Sequence, residues 1–259
     1  YATGCSHTAA GGLWWPQSKE WYGKNHNIFY ENELDVSYIK FLADLFKINY
    51  INTAKSGTGA KRLLRKVWQY IREVGLDNSK KTLFILQINN PLVRLDFYSK
   101  ELQKYLVVNC RYDEKNNIEW IECCDSHPNP TKPRNEFNKS AEDIKYHLEH
   151  YYDLVGEYDK LGMEIIGLIS FFEFHQIEYF IEATDGFFLN YLSENYFNNE
   201  FKRKRLINIE GEHCLNLWAY HRKKLIEDET NGFSKDNHAG LFAQKEWAEK
   251  LKVFIEERL

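Results

Sequence analysis

Residues 82–86 read Thr-Leu-Phe-Ile-Leu, a continuous apolar run of strand length. Such a run is typical of a central strand in a parallel sheet, where other elements bury both faces of the strand. Before it, apolar residues recur at three- and four-residue spacing from Leu63 to Val74, which predicts an amphipathic helix that ends near Gly75. Residues 50–54 predict a strand ahead of that helix, and a glycine-rich turn joins the two.

Strands and helices continue to alternate on both sides of this unit. Residues 1–3 predict a short buried strand that breaks at Gly4, and residues 177–183 predict another strand. Asp35 is predicted to cap a helix, and the last helix carries an apolar stripe that includes Trp247. This alternation predicts an α/β fold, a three-layer α/β/α sandwich with a mostly parallel central sheet.

Two insertions are predicted within this pattern. Apolar stretches on either side of a polar turn predict a β-hairpin insertion around residues 102–124, and the region around 187–230 reads as a helical insertion. A long helical region is predicted to begin at Ser140, with a break near Gly156 or Gly162.

The composition is that of one soluble globular domain, which we take to span residues 1–259. The hydrophobic fraction of 43% supplies a sizeable core, and the mean hydropathy of -0.59 argues against a membrane protein. The formal net charge of -4 creates no broad positive field for nucleic acid. The basic run at 202–205 is the exception, and it is either a solvated helix face or a phosphate-binding patch.

The 5 cysteines, an odd number, fit no secreted disulfide framework, so reduced thiols in a cytoplasmic protein are expected. No cationic segment followed by an apolar stretch opens the sequence, although Tyr1 is not Met and a processed start stays open. Thiolates and imidazole are the ligands that zinc prefers, but the usual Cys-x-x-Cys spacing is missing, and we predict no metal site. The residues considered for zinc are Cys110, Cys123, Cys124 and His127.

Residues suited to nucleophilic catalysis follow the first three predicted strands. Ser6 comes after the first strand, Gly57 after the second and Asn89 after the third. A serine can attack a carbonyl, while a glycine N–H and a side-chain amide are suitable donors to the oxyanion that results. His238 lies just before the last helix, and Asp236 precedes it by two positions, so a carboxylate is available to orient an imidazole base.

Together these segments resemble the sequence blocks of the SGNH (GDSL-like) hydrolase family. The segment 4–10 is similar to the family's first block, Gly-Asp-Ser-x-Thr-x-Gly, with Cys and Ala at the positions of the Asp and the last Gly. The segments 52–57, 87–90 and 236–238 resemble the second, third and fifth blocks, in the family's order. The third block departs from Gly-x-Asn-Asp, because it reads Gln-Ile-Asn-Asn.

The resemblance implies a serine hydrolase, an esterase or O-deacetylase that cleaves an acyl ester through an acyl-enzyme. Ser6 would be the nucleophile, His238 the base and then the acid, and Asp236 the orienting acid. The N–H groups of Ser6 and Gly57 and the amide of Asn89 would form the oxyanion hole. The short spacing between acid and histidine leaves open a dyad that a backbone carbonyl assists. No metal or organic cofactor is implied.

Substrate-binding residues are expected beside the nucleophile and after the third block. They are His7, Trp14, Trp15, Asn90 and Arg94. The tryptophans could stack on sugar rings or close the core, and the arginine could bind a substrate anion or form a surface ion pair. The expected partner is a small-molecule or glycan ester, with no nucleic acid and no membrane, and the sequence does not indicate an oligomeric state.

Two other interpretations stay open. Cys5 lies next to Ser6 and could be a thiol nucleophile, although free cysteines are often small buried apolar residues. Alternatively, the chain is a non-catalytic ligand-binding module that retains the SGNH fold. The altered third block and the short spacing between Asp236 and His238 favour that alternative.

Overall fold

The computed structural model of the chain describes residues 1–4, 37–54, 59–88, 94–99, 104–112, 118–125, 146, 148, 150, 154–183, 186–209 and 241–259. These segments form a mixed α/β structure in which a parallel sheet and an antiparallel sheet are separate from each other. The described helices are α1 (Tyr38–Phe46), α2 (Ala60–Val74), α3 (Leu76–Ser79), α4 (Leu154–His175), α5 (Gly186–Asn195), α6 (Asn199–Arg205) and α7 (Leu241–Glu256). None of these helices is long and apolar enough to cross a membrane.

The parallel sheet is open and has 3 strands in the order β1 (Ala2–Thr3), β2 (Phe84–Ile88) and β6 (Tyr179–Ala183). Thr3 pairs with Leu86, which pairs in turn with Ile181. Isolated parallel bridges extend the pairing at both sides of the sheet, from Ala2 to Asn52 and from Ile181 to Leu206. The parallel sheet expected from the sequence is therefore confirmed.

The antiparallel sheet joins β3 (Arg94–Ser99), β4 (Lys104–Tyr112) and β5 (Ile118–Asp125) in chain order. The strands β4 and β5 lie over the range in which the sequence predicts a hairpin. The sequence does not predict β3, which pairs with β4 from Arg94 opposite Asn109 to Ser99 opposite Lys104. Because β2 ends at Ile88, only a short connection separates the two sheets along the chain.

Side chains of the parallel strands alternate between two hydrophobic clusters, because successive residues of a strand point to opposite faces. Phe84, Leu86 and Ile88 of β2 pack in a cluster with buried residues of α2 and α4. Ile85 of β2 packs in the other cluster, with residues of α1 and α7 that include the fully buried Trp247. All five residues of β2 are buried, as expected for a strand covered on both faces.

The helix boundaries differ from the sequence predictions at two places. Ser37, not Asp35, is the N-cap of α1, and its Oγ accepts a hydrogen bond from Lys40 N at 3.4 Å. The expected break near Gly156 or Gly162 is wrong, since α4 runs through both positions. Glycine lowers helix propensity by only about 1 kcal/mol, and burial of the apolar face of α4 outweighs that cost.

The strand prediction at 82–86 is displaced by two residues, because β2 comprises Phe84–Ile88. Gln87 is therefore a strand residue, and its side chain is fully buried. The apolar run of the sequence stops before Gln87, because glutamine is polar. The predicted helical insertion at 187–230 also contains Leu206, which pairs with β6 and so belongs to the side of the sheet.

Two residues of the basic run at 202–205, Lys204 and Arg205, contact neighbouring acidic and aromatic side chains. The run forms most of α6, and Lys204 pairs with Glu200 at 2.7 Å. The Arg205 guanidinium pairs with Glu178 at 2.7 Å and lies 4.7 Å from the ring centroid of Tyr179. These contacts favour the solvated helix face over the phosphate-binding patch.

Helices α2 and α4 are tied together by an ion pair at their first turns. Lys61 Nζ lies 2.7 Å from Glu157 Oε2, and Lys160 Nζ lies 2.8 Å from Glu157 Oε1. Burial by itself would raise the pKa of Glu157, but the hydrogen bonds and positive charges of Lys160 and Lys61 outweigh it and hold this pKa below its ordinary value.

A matched pair of substitutions in α4 tests this packing. A Cβ atom at Gly162 would lie 2.8 Å from a ring carbon of Tyr196, whereas one at Gly167 would have nothing within 4 Å. We expect Gly167→Ala to raise the free energy of unfolding by about 0.5–1 kcal/mol, through helix propensity alone. The free energy of unfolding of Gly162→Ala should be about 1 kcal/mol or more lower than that of Gly167→Ala, because the Tyr196 ring must move. Urea denaturation followed by circular dichroism measures both, and equal effects would contradict the described contact.

Candidate functional site

The carboxyl ends of the parallel strands define one edge of the sheet. Ala2 N donates to Ile51 O at 2.8 Å, and Thr53 N donates to Ala2 O at 2.9 Å, so the stretch around Asn52 runs beside β1. On the other side, Ile85 N donates to Tyr1 O at 2.9 Å. Since these pairings are parallel, the three neighbouring stretches end at the same edge, where open α/β sheets place their ligands.

Most of the predicted site residues lie outside the described residues. They are Ser6, His7, Trp14, Trp15, Gly57, Asn89, Asn90, Asp236 and His238. Arg94 is described as the first residue of β3, where its backbone pairs with Asn109. The described residues that come shortly before the predicted site residues in sequence are Gly4, Ala54 and Ile88. Gly4 follows β1, Ala54 follows the stretch around Asn52, and Ile88 is the last residue of β2, so all three lie at the ends of paired parallel stretches.

Side chains fix the backbone at the end of the stretch around Asn52. Asn52 Oδ1 accepts a hydrogen bond from Ala54 N at 3.0 Å. Arg62, in the first turn of α2, donates from Nη1 to Thr53 O at 2.9 Å, and the Tyr1 hydroxyl lies 2.8 Å from Thr53 Oγ1. The chain is therefore held in place just before residues 55–58, which include Gly57.

A group of buried polar side chains connects α1, α7 and β6. Tyr38 N donates to Gln244 Oε1 at 2.8 Å, and the Tyr38 hydroxyl donates to Glu182 Oε2. Tyr38, Glu182 and Gln244 are all fully buried. Glu182 is the penultimate residue of β6 and Gln244 lies in the first turn of α7, so the start of α7 is tied to the carboxyl edge of the sheet.

Further buried polar side chains lie where the stretch around Asn52 pairs with β1, at the end of the strand order away from β6. Asn52 Nδ2 donates to Ser37 Oγ at 3.2 Å, and Ser37 is fully buried. The Thr3 hydroxyl, at the end of β1, is also buried and has no hydrogen-bond partner among the described residues. A buried hydroxyl without a partner costs about 1–3 kcal/mol. Because Thr3 directly precedes Gly4, this polar group lies at the same edge of the sheet.

Sequence reasoning missed Tyr38, Glu182 and Gln244. A usable signal existed for one of them, because Glu182 is one of two charged residues in the predicted strand 177–183, and charged residues are rarely buried without a partner. Nothing in the sequence linked it to Tyr38, which lies 144 positions away. Among the described residues, no group of three or more His, Cys, Asp or Glu side chains is placed to hold a metal ion.

Comparison with known proteins gives no relative for this chain. No family model matches it, and neither a curated protein nor a solved structure does.

The Tyr38 hydroxyl provides a test of the link between β6 and α1. Tyr38→Phe removes the donor and leaves the buried carboxyl of Glu182 without that hydrogen bond, so we expect a loss of about 1–3 kcal/mol in unfolding free energy. Tyr70→Phe is the matched control, because its hydroxyl makes only a 3.3 Å contact with Thr82 Oγ1 in a partly buried position. Urea denaturation measures the unfolding free energy of both variants. Equal losses would show that the hydrogen bond between Tyr38 and Glu182 stabilises the fold no more than the contact of Tyr70 does.

Proposed function

We propose that the chain is a serine ester hydrolase of the SGNH type, with its active site at the carboxyl edge of the parallel sheet. One observation carries this proposal: the stretch around Asn52, β1 and β2 are neighbours that end at the same edge. The chain that follows these three stretches contains Gly57, Ser6 and Asn89 respectively. The nucleophile would thus leave the middle stretch, with one oxyanion donor on each side of it.

The strand order supports the finer fold proposal, a three-layer α/β/α sandwich. From one side to the other, the parallel pairing runs through Asn52, β1, β2, β6 and Leu206. Taken as strands in chain order, this is the 2-1-3-4-5 order of flavodoxin-like folds, in which ligands bind where the strand order reverses. The packing of α2 and α4 in one cluster and of α1 and α7 in the other fits helical layers on both faces.

His238 is proposed as the general base, and its place in the chain agrees with that role. It precedes α7 by three positions, and the first turn of α7 is tied to the end of β6 through Gln244, Tyr38 and Glu182. Helix α7 therefore begins at the edge at which β1 ends. Asp236 is proposed to orient the imidazole and to stabilise the imidazolium.

In the proposed mechanism, Ser6 Oγ attacks the ester carbonyl while His238 takes its proton. The N–H groups of Ser6 and Gly57 and the amide of Asn89 donate to the oxyanion. Collapse of the tetrahedral intermediate releases the alcohol, which takes the proton from His238. Water then attacks the acyl-enzyme and gives a proton to His238, which returns it to Ser6 Oγ as the carboxylic acid is released. The proposed substrate is an O-acyl ester, with carbohydrate esters favoured by the aromatic residues Trp14 and Trp15 after the nucleophile.

The remaining proposed substrate contacts lie on both sides of this centre. His7 and Asn90 each stand next to a proposed catalytic or oxyanion residue in the sequence. Arg94 opens β3, six positions after the end of β2, so it follows the same edge of the sheet along the chain. A guanidinium there suits a substrate that carries a carboxylate or phosphate group. No cofactor takes part in the proposed reaction.

Labelling with a fluorophosphonate reagent tests the nucleophile and its base. We expect the folded chain to be labelled on Ser6, as identified by mass spectrometry of its peptides, because the reagent mimics attack on an ester. Ser6→Ala and His238→Ala should each abolish labelling. The matched controls Ser170→Ala and His150→Ala change exposed residues and should label like the parent chain. A folded chain that stays unlabelled would instead identify a ligand-binding module without catalysis.

Turnover of a p-nitrophenyl acyl ester tests the proposed oxyanion donor. Asn89→Ala should lower kcat by about 10²–10³-fold with little change in KM, because the donor acts on charge that develops only in the transition state. Asn195→Ala is the control, since this exposed amide bonds only to Tyr191 O within the described structure and should leave kcat unchanged. A kcat for Asn89→Ala within about threefold of the parent would remove this residue from the proposed oxyanion hole.

A further inference from the structure

A groove with a volume of 810 Å³ lies between α2 and α4. Its α2 wall carries Lys61, Arg65, Trp68 and Arg72, and its α4 wall carries Glu164 and Gly167. From Lys61 to Arg72 the α2 wall spans twelve residues, or roughly 16 Å with a helical rise of 1.5 Å between successive residues. The groove is therefore long enough for an extended ligand and not only for a single small ion.

The α2 wall concentrates positive charge in a chain whose formal net charge is -4. Helix α2 contains five Lys and Arg residues and one Glu, and three of the basic residues line the groove. Lys61 is compensated by Glu157 at one end and Arg65 also has an interaction partner, whereas Arg72 is exposed and has no ion pair with a described residue. Facing them, the α4 wall contributes one carboxylate, that of Glu164. The groove thus has the electrostatic character of an anion site.

An aromatic ring lies in the middle of this positive wall. Trp68 is 40% exposed, and its ring meets Phe171 edge-on, with a centroid distance of 5.0 Å and an interplanar angle of 69°. This contact restricts the orientation of the indole without covering it. Gly167 lies on the opposite wall, and a Cβ atom there would have nothing within 4 Å, so the α4 wall leaves open space at this point.

We propose that the groove between α2 and α4 binds an anionic glycan, a sugar chain that carries carboxylate or phosphate groups. Guanidinium groups match the geometry of such anions, and an exposed indole is a suitable platform for the apolar face of a sugar ring. The lining favours a glycan over an amphipathic peptide helix, which needs several apolar pockets at helical spacing. Here Leu64 is buried, and Trp68 is the one large apolar side chain exposed in the described lining.

The groove is also placed to extend the proposed active site. It begins at the first turn of α2, where Arg62 bonds to Thr53 O just before the segment that contains Gly57. A chain bound along α2 would therefore lead away from the carboxyl edge of the sheet. Its role as a substrate subsite rests on the proposed function, whereas binding of the glycan requires neither Ser6 nor His238.

Calorimetric titration of the full chain with Ser6→Ala tests the groove without turnover. The probe is an oligogalacturonate, and a malto-oligosaccharide of equal length is the neutral control. We expect binding of the uronate probe that weakens as salt rises, and none of the neutral one. Trp68→Ala and Gly167→Leu should each weaken binding about tenfold, by removing the platform and by filling the open space on the α4 wall. Arg72→Gln should weaken it about three- to tenfold.

Two matched controls separate the groove from general attraction. Arg203→Gln removes an exposed positive charge on α6, and Phe174→Ala removes an aromatic ring that is 82% exposed but outside the groove lining. Both should bind the uronate like the parent chain.

The proposal is overturned if the uronate does not bind, or if Arg203→Gln weakens binding as much as Arg72→Gln. It is also overturned if a polyglutamate peptide or an oligothymidylate binds as tightly, since another class of polyanion would then be the ligand. Fluorophosphonate labelling reads out the proposed function separately, in the chain with Ser6 intact.

Discussion

The parallel pairing of β2 with both β1 and β6 is the contact on which the described fold depends. A strand with partners on both sides and helices over both faces has no contact with water, so its residues must be apolar or hydrogen-bonded. This explains why β2 supplies side chains to both hydrophobic clusters, and Gln87 is the one polar side chain among its five buried residues. It also fixes the direction of the neighbouring stretches, which brings the ends of β1 and β2 to one edge.

Polar side chains are buried at that edge where an apolar core would be simpler to pack. Tyr38 reaches both Glu182 and Gln244, while Ser37 reaches Asn52, so α1 connects the two sides of the sheet through hydrogen bonds. Buried polar groups that are hydrogen-bonded hold a geometry more specifically than apolar contacts do, because a displaced partner leaves an unpaired group. The active site that is proposed at this edge would require support of this kind, since reacting groups must keep their positions.

Positive charge is used in two different ways on the described surface. In the most conspicuous basic run of the sequence, at 202–205, Lys204 and Arg205 pair with acidic neighbours and Arg205 also lies over the ring of Tyr179, so these contacts are structural. Burial raises the pKa of the Tyr179 phenol, as does the hydrogen bond that it donates to Glu173. Three basic residues of α2 are spread over three turns and are less conspicuous in sequence, yet they line one groove beside Trp68. Helical geometry, not adjacency in the chain, made them a surface.

The sequence by itself determined which segments are apolar and with what period, and therefore the helix that ends at Gly75, the parallel β2 and the buried stripe that includes Trp247. It also set the order of the motifs from which a hydrolase is proposed. Only the tertiary structure decided which strands are neighbours, that Gln87 belongs inside β2, and that Tyr38 bonds to Glu182. The physical reason is that periodicity reports whether a residue is buried, which is a local property of its own segment. The partner that covers or hydrogen-bonds that residue comes from a distant part of the chain, and only the folded arrangement selects it.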